Sequence, residues 1–247
     1  MKAEADLRML RREADRRQPR GFRKAIQQRA TNGVAVIAEL KKASPSKGVI
    51  REDFRVAELA RELEQSGAAA LSVLTDEQYF QGSLDNLAIA SEQTKLPCLR
   101  KDFIVDEFQV IEARARGADA ILLIVAVLDA AELVRLGACA RENDLDVLCE
   151  VHDAAELQRA LAAGFETIGI NNRNLHTFQV DLNTSLRLAE RVPAGVVKVA
   201  ESGIESAADI AQLRAVGFDG FLVGESLMRA ASPGEALRGL LAQTVFR

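Results

Sequence analysis

A closed (β/α)8 barrel, the TIM-barrel architecture, is the fold this sequence predicts, and three observations carry the prediction. From residue 34 onward, eight short apolar runs alternate with eight amphipathic segments. The runs are apolar on both faces, as parallel strands covered by helices require. Four helix-to-strand junctions share one punctuation: Ser66-Gly67-Ala68, Arg116-Gly117-Ala118, Ala163-Gly164-Phe165 and Val216-Gly217-Phe218. Glycine there closes a helix with a positive φ. Strands that alternate with crossover helices run parallel, and the 34–247 span is the size such a barrel takes. An open doubly wound sheet would carry G-x-G-x-x-G after its first strand; none is present.

Taken in order, 3–17 has helical propensity and few breakers, Pro19 and Gly21 end it, and 22–29 reads as a second short helix. Residues 1–33 are thus a helical extension and 34–247 the barrel, all in a single domain. The predicted strands are 34–39, 69–75, 98–101, 120–125, 146–150, 167–171, 196–201 and 220–223. Each is a short apolar run bounded by polar or glycine residues. The predicted helices are 56–65, 84–92, 106–116, 130–142, 154–163, 182–191, 206–216 and 234–243. The stretch Ser44-Pro45-Ser46-Lys47-Gly48 reads as a loop, because Pro and Gly punctuate and Ser competes with regular pairing.

Composition narrows the function classes. Apolar residues make up 48% and charged residues 28%, ordinary values for a soluble globular protein. No apolar run approaches the ~20 residues of a membrane span, and the N-terminus lacks the apolar core of a secretory leader. Cys98, Cys139 and Cys149 match no metal or redox spacing, so reduced core thiols in a cytoplasm are expected. The net charge is −4. Residues 1–24 hold nine basic and four acidic side chains. Acids alternate with the bases and no aromatic residue interleaves, so a solvated, salt-bridged helix is expected there, not a nucleic-acid arm.

Function in such a barrel lies at the C-terminal strand ends. The first strand ends in Glu39 and Lys41, two residues apart and so on one side. The second leads to Thr75, Asp76 and Tyr79-Phe80, the third to Lys101, Asp102 and Phe103, and the fifth to Glu150 and His152. The sixth ends in Asn171, Asn172 and Arg173, the seventh in Glu201-Ser202-Gly203, and the eighth in Gly224-Glu225-Ser226 after Leu222. The fourth, ending in Val125-Ala126-Val127, offers no chemistry. The opposite ends are mostly Gly, Ala and Pro.

Ser202-Gly203 and Gly224-Glu225 place glycine backbone at two turns, where N–H groups can approach a phosphate. The reacting end of the ligand then faces Glu39, Lys41, Lys101, Glu150 and Asn171. Arg173 suits a second anion such as a carboxylate. Phe80, Phe103 and Leu122 are candidates for an apolar wall, and the last two read equally well as packing residues. By strand parity neither His152 nor His176 joins the cluster, and both read as rim or structural residues. No strand-end His or Cys set suits a metal.

These residues also carry a resemblance. The stretches VIAELKKASPSKG from Val36, LTDEQYFQGSLDNL from Leu74, LRKDFIVDEFQV from Leu99 and GADAILLI from Gly117 resemble the indole-3-glycerol phosphate synthase family. So do CEVH from Cys149, IGINNRNLHTF from Ile168, VAESGI from Val199 and FLVGESLM from Phe221, covering 34–230 in order. The resemblance implies conversion of 1-(o-carboxyphenylamino)-1-deoxyribulose 5-phosphate to indole-3-glycerol phosphate, with loss of carbon dioxide and water. It implies Lys101 as the general acid of ring closure, and Glu39, Lys41 and Glu150 as aids to decarboxylation and dehydration. Asn171 and Arg173 would hold the substrate, with Arg173 and Lys41 candidates for its carboxylate. Ser44, Ser202, Gly203, Gly224 and the Glu225 backbone would hold the phosphate, with Leu222 beside them. A monomer that takes a small phosphorylated substrate, with no cofactor and no metal, is expected. Residues 1–33 match loosely and the chain has no Trp; the family folds this segment over the pocket mouth, so the resemblance leaves the aromatic-binding wall open here.

Overall fold

A computed structural model describes residues 2–175 and 177–244. Two helices come first, α1 (Lys2–Asp15) and α2 (Phe22–Asn32). Strand β1 (Ala35–Leu40) follows, then a small antiparallel hairpin, β2 (Ala43–Ser44) with β3 (Gly48–Val49). The chain continues through α3 (Val56–Gln65), β4 (Ala70–Leu74), the single turn α4 (Glu77–Phe80) and α5 (Leu84–Gln93). Next come β5 (Cys98–Lys101), α6 (Glu107–Ala115), β6 (Ala120–Ile124), a 3₁₀ turn at Val125–Val127 and α7 (Ala130–Glu142). The second half holds β7 (Asp146–Val151), α8 (Ala154–Ala162), β8 (Thr167–Asn171) and α9 (Asn183–Ala189). It ends with β9 (Val197–Glu201), α10 (Ala207–Ala215), β10 (Gly220–Val223), α11 (Glu225–Arg229) and α12 (Pro233–Thr244).

The eight long strands close into one parallel barrel in the order β1-β10-β9-β8-β7-β6-β5-β4. Each strand pairs with the next long strand in the chain, and β10 returns to β1 through Ala35↔Gly220. The punctuating glycines Gly67, Gly117, Gly164 and Gly217 all adopt positive φ, between 80° and 95°. Several helix starts are capped by side chains. Asp106, Asp129 and Ser206 each form a reciprocal capping box, satisfying donors that a helix start leaves open.

One expectation fails. The loop at Ser44–Gly48 is partly regular, because Ala43 and Ser44 pair with Val49 and Gly48 around the Pro45-Ser46-Lys47 turn. The N-terminal segment does not cover the mouth: among the described residues, none from 2–33 lines the cavity there. Helix α2 instead plugs the opposite end. Phe22 and Ile26, four residues apart and therefore on one helix face, are fully buried against Ala35, Ala69, Ala120 and Val197. Small side chains at the strand starts leave the space that these two fill. Helix α1 packs outside, Leu10 and Ala14 meeting Ile111 and Ala115 of α6. The basic segment is only partly solvated: Arg20 pairs with the buried Asp119 at 2.7 Å and also donates to Ser91 and Thr94 carbonyls.

Candidate active site

The first strand delivers a buried ion pair. Lys41 Nζ lies 2.7 Å from Glu39 Oε1. Burial opposes the Glu39 charge, but Lys41, then Lys101, hold its carboxyl below the usual range. Gly224 makes this position possible, since a Cβ there would sit 2.6 Å from Glu39 Oε1.

Lys101 is the centre. Its Nζ donates to Glu150 Oε2 at 3.0 Å and lies 3.2 Å from Glu201 Oε2. Burial disfavours its charge, yet Glu150, Glu201 and Glu39 together raise its pKa well above the ordinary lysine value. The same balance splits the two carboxyls. Glu150 is held well below the usual range, because Lys101 and then His152 overcome the burial cost. Glu201, 1% exposed, is pushed up to about 8 by burial, with Lys101 opposing and Glu150 adding to the rise. Both Glu201 oxygens lack a hydrogen-bond partner among the described residues. Gly169, in register with Glu150, has no side chain to occupy the place where Glu201 Oε1 lies. Environments that drive neighbouring acids apart in this way mark acid–base chemistry.

Around this centre a cavity of about 1150 Å³ opens at the C-terminal strand ends. Its wall takes in Glu39, Lys41, Lys101, Glu150 and Asn171, and also Arg173, Ser44, Ser202, Gly203, Leu222, Gly224 and Glu225. Phe80, Phe103 and Leu122 complete it, so all fifteen residues singled out by sequence meet at one site. Asn171 Oδ1 accepts from the Arg173 N–H at 3.0 Å, and Arg173 donates to the Phe178 carbonyl at 3.2 Å. Ser202 and Gly203 both adopt positive φ, 65° and 74°, an uncommon conformation for a serine that marks a constrained turn. Ser44 Oγ is buried without a hydrogen-bond partner among the described residues. Phe103 and Tyr79 make an edge-on contact at the mouth, ring centroids 6.1 Å apart.

Sequence reasoning missed two participants. Glu201 stands at a strand end, but its Ser-Gly sequel reads as a phosphate turn, and its proximity to Lys101 exists only after the barrel closes. His152 stays outside the cavity wall, as a rim or structural residue would, yet it touches the cluster from behind through Glu150. Strand β7 runs one residue further than expected, to Val151, and His152, two beyond Glu150, emerges on the same side. Its Nε2 is 3.3 Å from Glu150 Oε1, an ion-pair distance without full hydrogen-bond alignment. His176 lies outside the described residues. Among the described residues no three His, Cys, Asp or Glu side chains form a metal-binding group, and no helix is long and apolar enough to cross a membrane.

Comparison with known proteins bears on the fold and the family. In solved structures the chain superposes on thiamine phosphate pyrophosphorylase from Pyrococcus furiosus, with TM-score 0.65 and 19% identity over 89% of this chain and 100% of that one. It also superposes on 3-hexulose-6-phosphate synthase from Salmonella typhimurium, with TM-score 0.69 and 13% identity over 86% and 99%. Identities this low speak for the barrel alone. Closer in sequence, it is 61% identical over 223 residues to indole-3-glycerol phosphate synthase from Koribacter versatilis, covering 90% of this chain and 86% of that protein. It is 57% identical to the synthase from Aromatoleum aromaticum, covering 90% and 85%. The family model for indole-3-glycerol phosphate synthase matches residues 1–240. With that match and those identities, the chain belongs to the indole-3-glycerol phosphate synthase family.

Proposed function

We propose that this chain closes, decarboxylates and dehydrates 1-(o-carboxyphenylamino)-1-deoxyribulose 5-phosphate to indole-3-glycerol phosphate, with Lys101 at the chemical centre. The observation that carries this reading is Lys101 held between Glu150 and Glu201 at 3.0 and 3.2 Å, facing the cavity. Attack of an aromatic carbon on a ketone builds negative charge on oxygen. A lysine held this firmly in its charged form presents N–H to that oxygen and gives up a proton as the charge grows, an effect worth roughly 10²–10⁴ in rate.

Loss of carbon dioxide and then of water calls for proton acceptors and donors at the new ring. Glu39, Lys41 and Glu150 stand ready on the same rim, and Glu201 joins them. Asn171 and Arg173 face the aromatic carboxylate end, while Phe80, Phe103 and Leu122 give the ring apolar contact. The phosphate is assigned to Ser202, Gly203, Gly224 and the Glu225 backbone. The unpartnered Ser44 hydroxyl supports this placement from the β2–β3 side. The three buried, unpaired cysteines fit a reducing compartment, and we take a cytoplasmic monomer as the working form.

The test is direct. Purified protein mixed with the carboxyphenylamino substrate should produce indole fluorescence at a rate proportional to enzyme. No signal at high enzyme concentration contradicts the reading.

A further inference from the structure

His152 has a carboxylate at each ring nitrogen, hydrogen-bonded at Nδ1 and at ion-pair distance at Nε2. Nε2 faces Glu150 Oε1 at 3.3 Å, while the other oxygen of that carboxylate accepts from Lys101. Nδ1 lies 3.0 Å from Glu156 Oε2, and the same oxygen accepts from the His152 backbone N–H at 2.7 Å. Glu156 is itself fixed in the first turn of α8, its N–H donating to Asp153 at 2.8 Å. His152 does not line the cavity, so whatever it does to the reaction passes through Glu150.

An ionised carboxylate only accepts hydrogen bonds. Glu156, already holding a backbone N–H, takes Nδ1 as a donor and so sets the tautomer. Nε2 then has two self-consistent partners: an ionised Glu150 facing a charged imidazole, or a protonated Glu150 facing a bare Nε2. In both, the Nε2–Oε1 pair holds one proton and the same total charge.

We propose that His152 is a positioning residue that stores this proton for Glu150, so that one carboxylate can act as both acid and base within a turnover. The proposal rests on the reaction assigned above, whose dehydration gives one proton to a departing hydroxyl and removes one from the new five-membered ring. When the Nε2–H bond breaks and the Oε1–H bond forms, the imidazolium becomes neutral with Nδ1–H still on Glu156, and the carboxylate becomes a carboxylic acid. Glu150 gives its proton to the hydroxyl, which leaves as water. It then takes the ring proton, and the pair returns to its starting state with nothing drawn from solvent. The surrounding charges set the resting state: Lys101 faces Glu150 from β5 and Glu156 faces the imidazole from α8, and both favour the ion pair, so the proton crosses to Glu150 only as the departing hydroxyl takes it up, while Glu201 faces Glu150 from β9. Burial works against a charged His152, yet its bonds to Glu150 and Glu156 push it up to about 10.

Two readouts test this. The chain has only two histidines, so an NMR titration of the imidazoles assigns readily. His152 should stay protonated past about pH 8 and titrate at clearly lower pH in Glu150→Gln, where it would otherwise sit near the ordinary value of about 6.5. Titration near that value in both proteins overturns the shared proton, whatever reaction the protein performs.

In kinetics, His152→Gln keeps an N–H for Glu150 but can neither take nor release a proton. The expected result is a fall in kcat of about 10- to 100-fold with KM little changed, and an acid limb of the pH profile moved upward. Should that variant fail to fold, Glu156→Gln carries the same test through a smaller upward move of the limb. Wild-type kcat and an unmoved limb in the variant tested overturn the proposal. A wild type without turnover indicts the assigned reaction instead, and the titration still decides the proton.

Discussion

The two ends of this barrel are built from the same eight strands and differ in almost everything else. At the N-terminal end, small residues receive an apolar plug, Phe22 and Ile26, and a deep charge pair, Arg20 with Asp119, is saturated with hydrogen bonds. At the C-terminal end, Glu39, Glu150 and Glu201 are buried around one lysine, and Glu201 has no hydrogen-bond partner among the described residues. Buried charge without full pairing costs stability. A fold tolerates it where the same groups perform work, and the plug supplies stabilisation that the rim lacks. The comparison teaches that stability and chemistry are separable along the strand axis.

The largest expected effect breaks the plug. Phe22→Ala removes a fully buried aromatic and should cost about 3–5 kcal/mol, read as a lower urea midpoint, while kcat per folded molecule stays at the wild-type value. A matching loss of kcat would mean the two ends are coupled.

The next change works at the rim without removing any charge. Gly169→Ala places a methyl where Glu201 Oε1 now lies, with Leu148 Cδ1 only 3.2 Å from it. A displaced carboxylate should lower kcat by roughly 10- to 100-fold, and overpacking should cost about 1–3 kcal/mol in the same unfolding assay. Unchanged turnover would show that the seat on Gly169 does not matter to the chemistry.

The smallest effect sharpens the contrast through pH. Glu201 has a folded pKa raised to about 8 and His152 one raised to about 10. A raised pKa means the folded state keeps its proton after the unfolded chain has lost it, so stability falls as pH rises between the two values. For Glu201 that window runs from the ordinary carboxyl range to about 8, and for His152 from near 6.5 to about 10. Urea midpoints should therefore decline from pH 6 to pH 9. Glu201→Gln should flatten the part below pH 8. An identical slope in that variant would place the titration elsewhere.

Much of this was legible in the sequence, for a physical reason. A parallel strand must be apolar on both faces, so Glu39, Lys101 and Glu150 stand out as charges that interrupt such runs at one end. Their convergence follows once eight strands close into a ring. The plug was not legible in the same way: the spacing of Phe22 and Ile26 declares an apolar face, but only the small residues gathered at the strand starts say which end receives it. Glu201 and Lys101 sit on strands far apart in the chain, and closure alone sets them 3.2 Å apart. His152 is two residues beyond Glu150 and so leaves the chain on its side, but its contact with Glu150 and Glu156 forms just past the strand end, where strand spacing alone does not fix partners.

The central claim is that Lys101 does the chemistry of the open end. The measurement that tests it most directly is turnover of Lys101→Ala by indole fluorescence, with circular dichroism taken on the same sample. The expected outcome is a native spectrum and a kcat at least about 100-fold below wild type. Near-wild-type turnover with a native spectrum would contradict it.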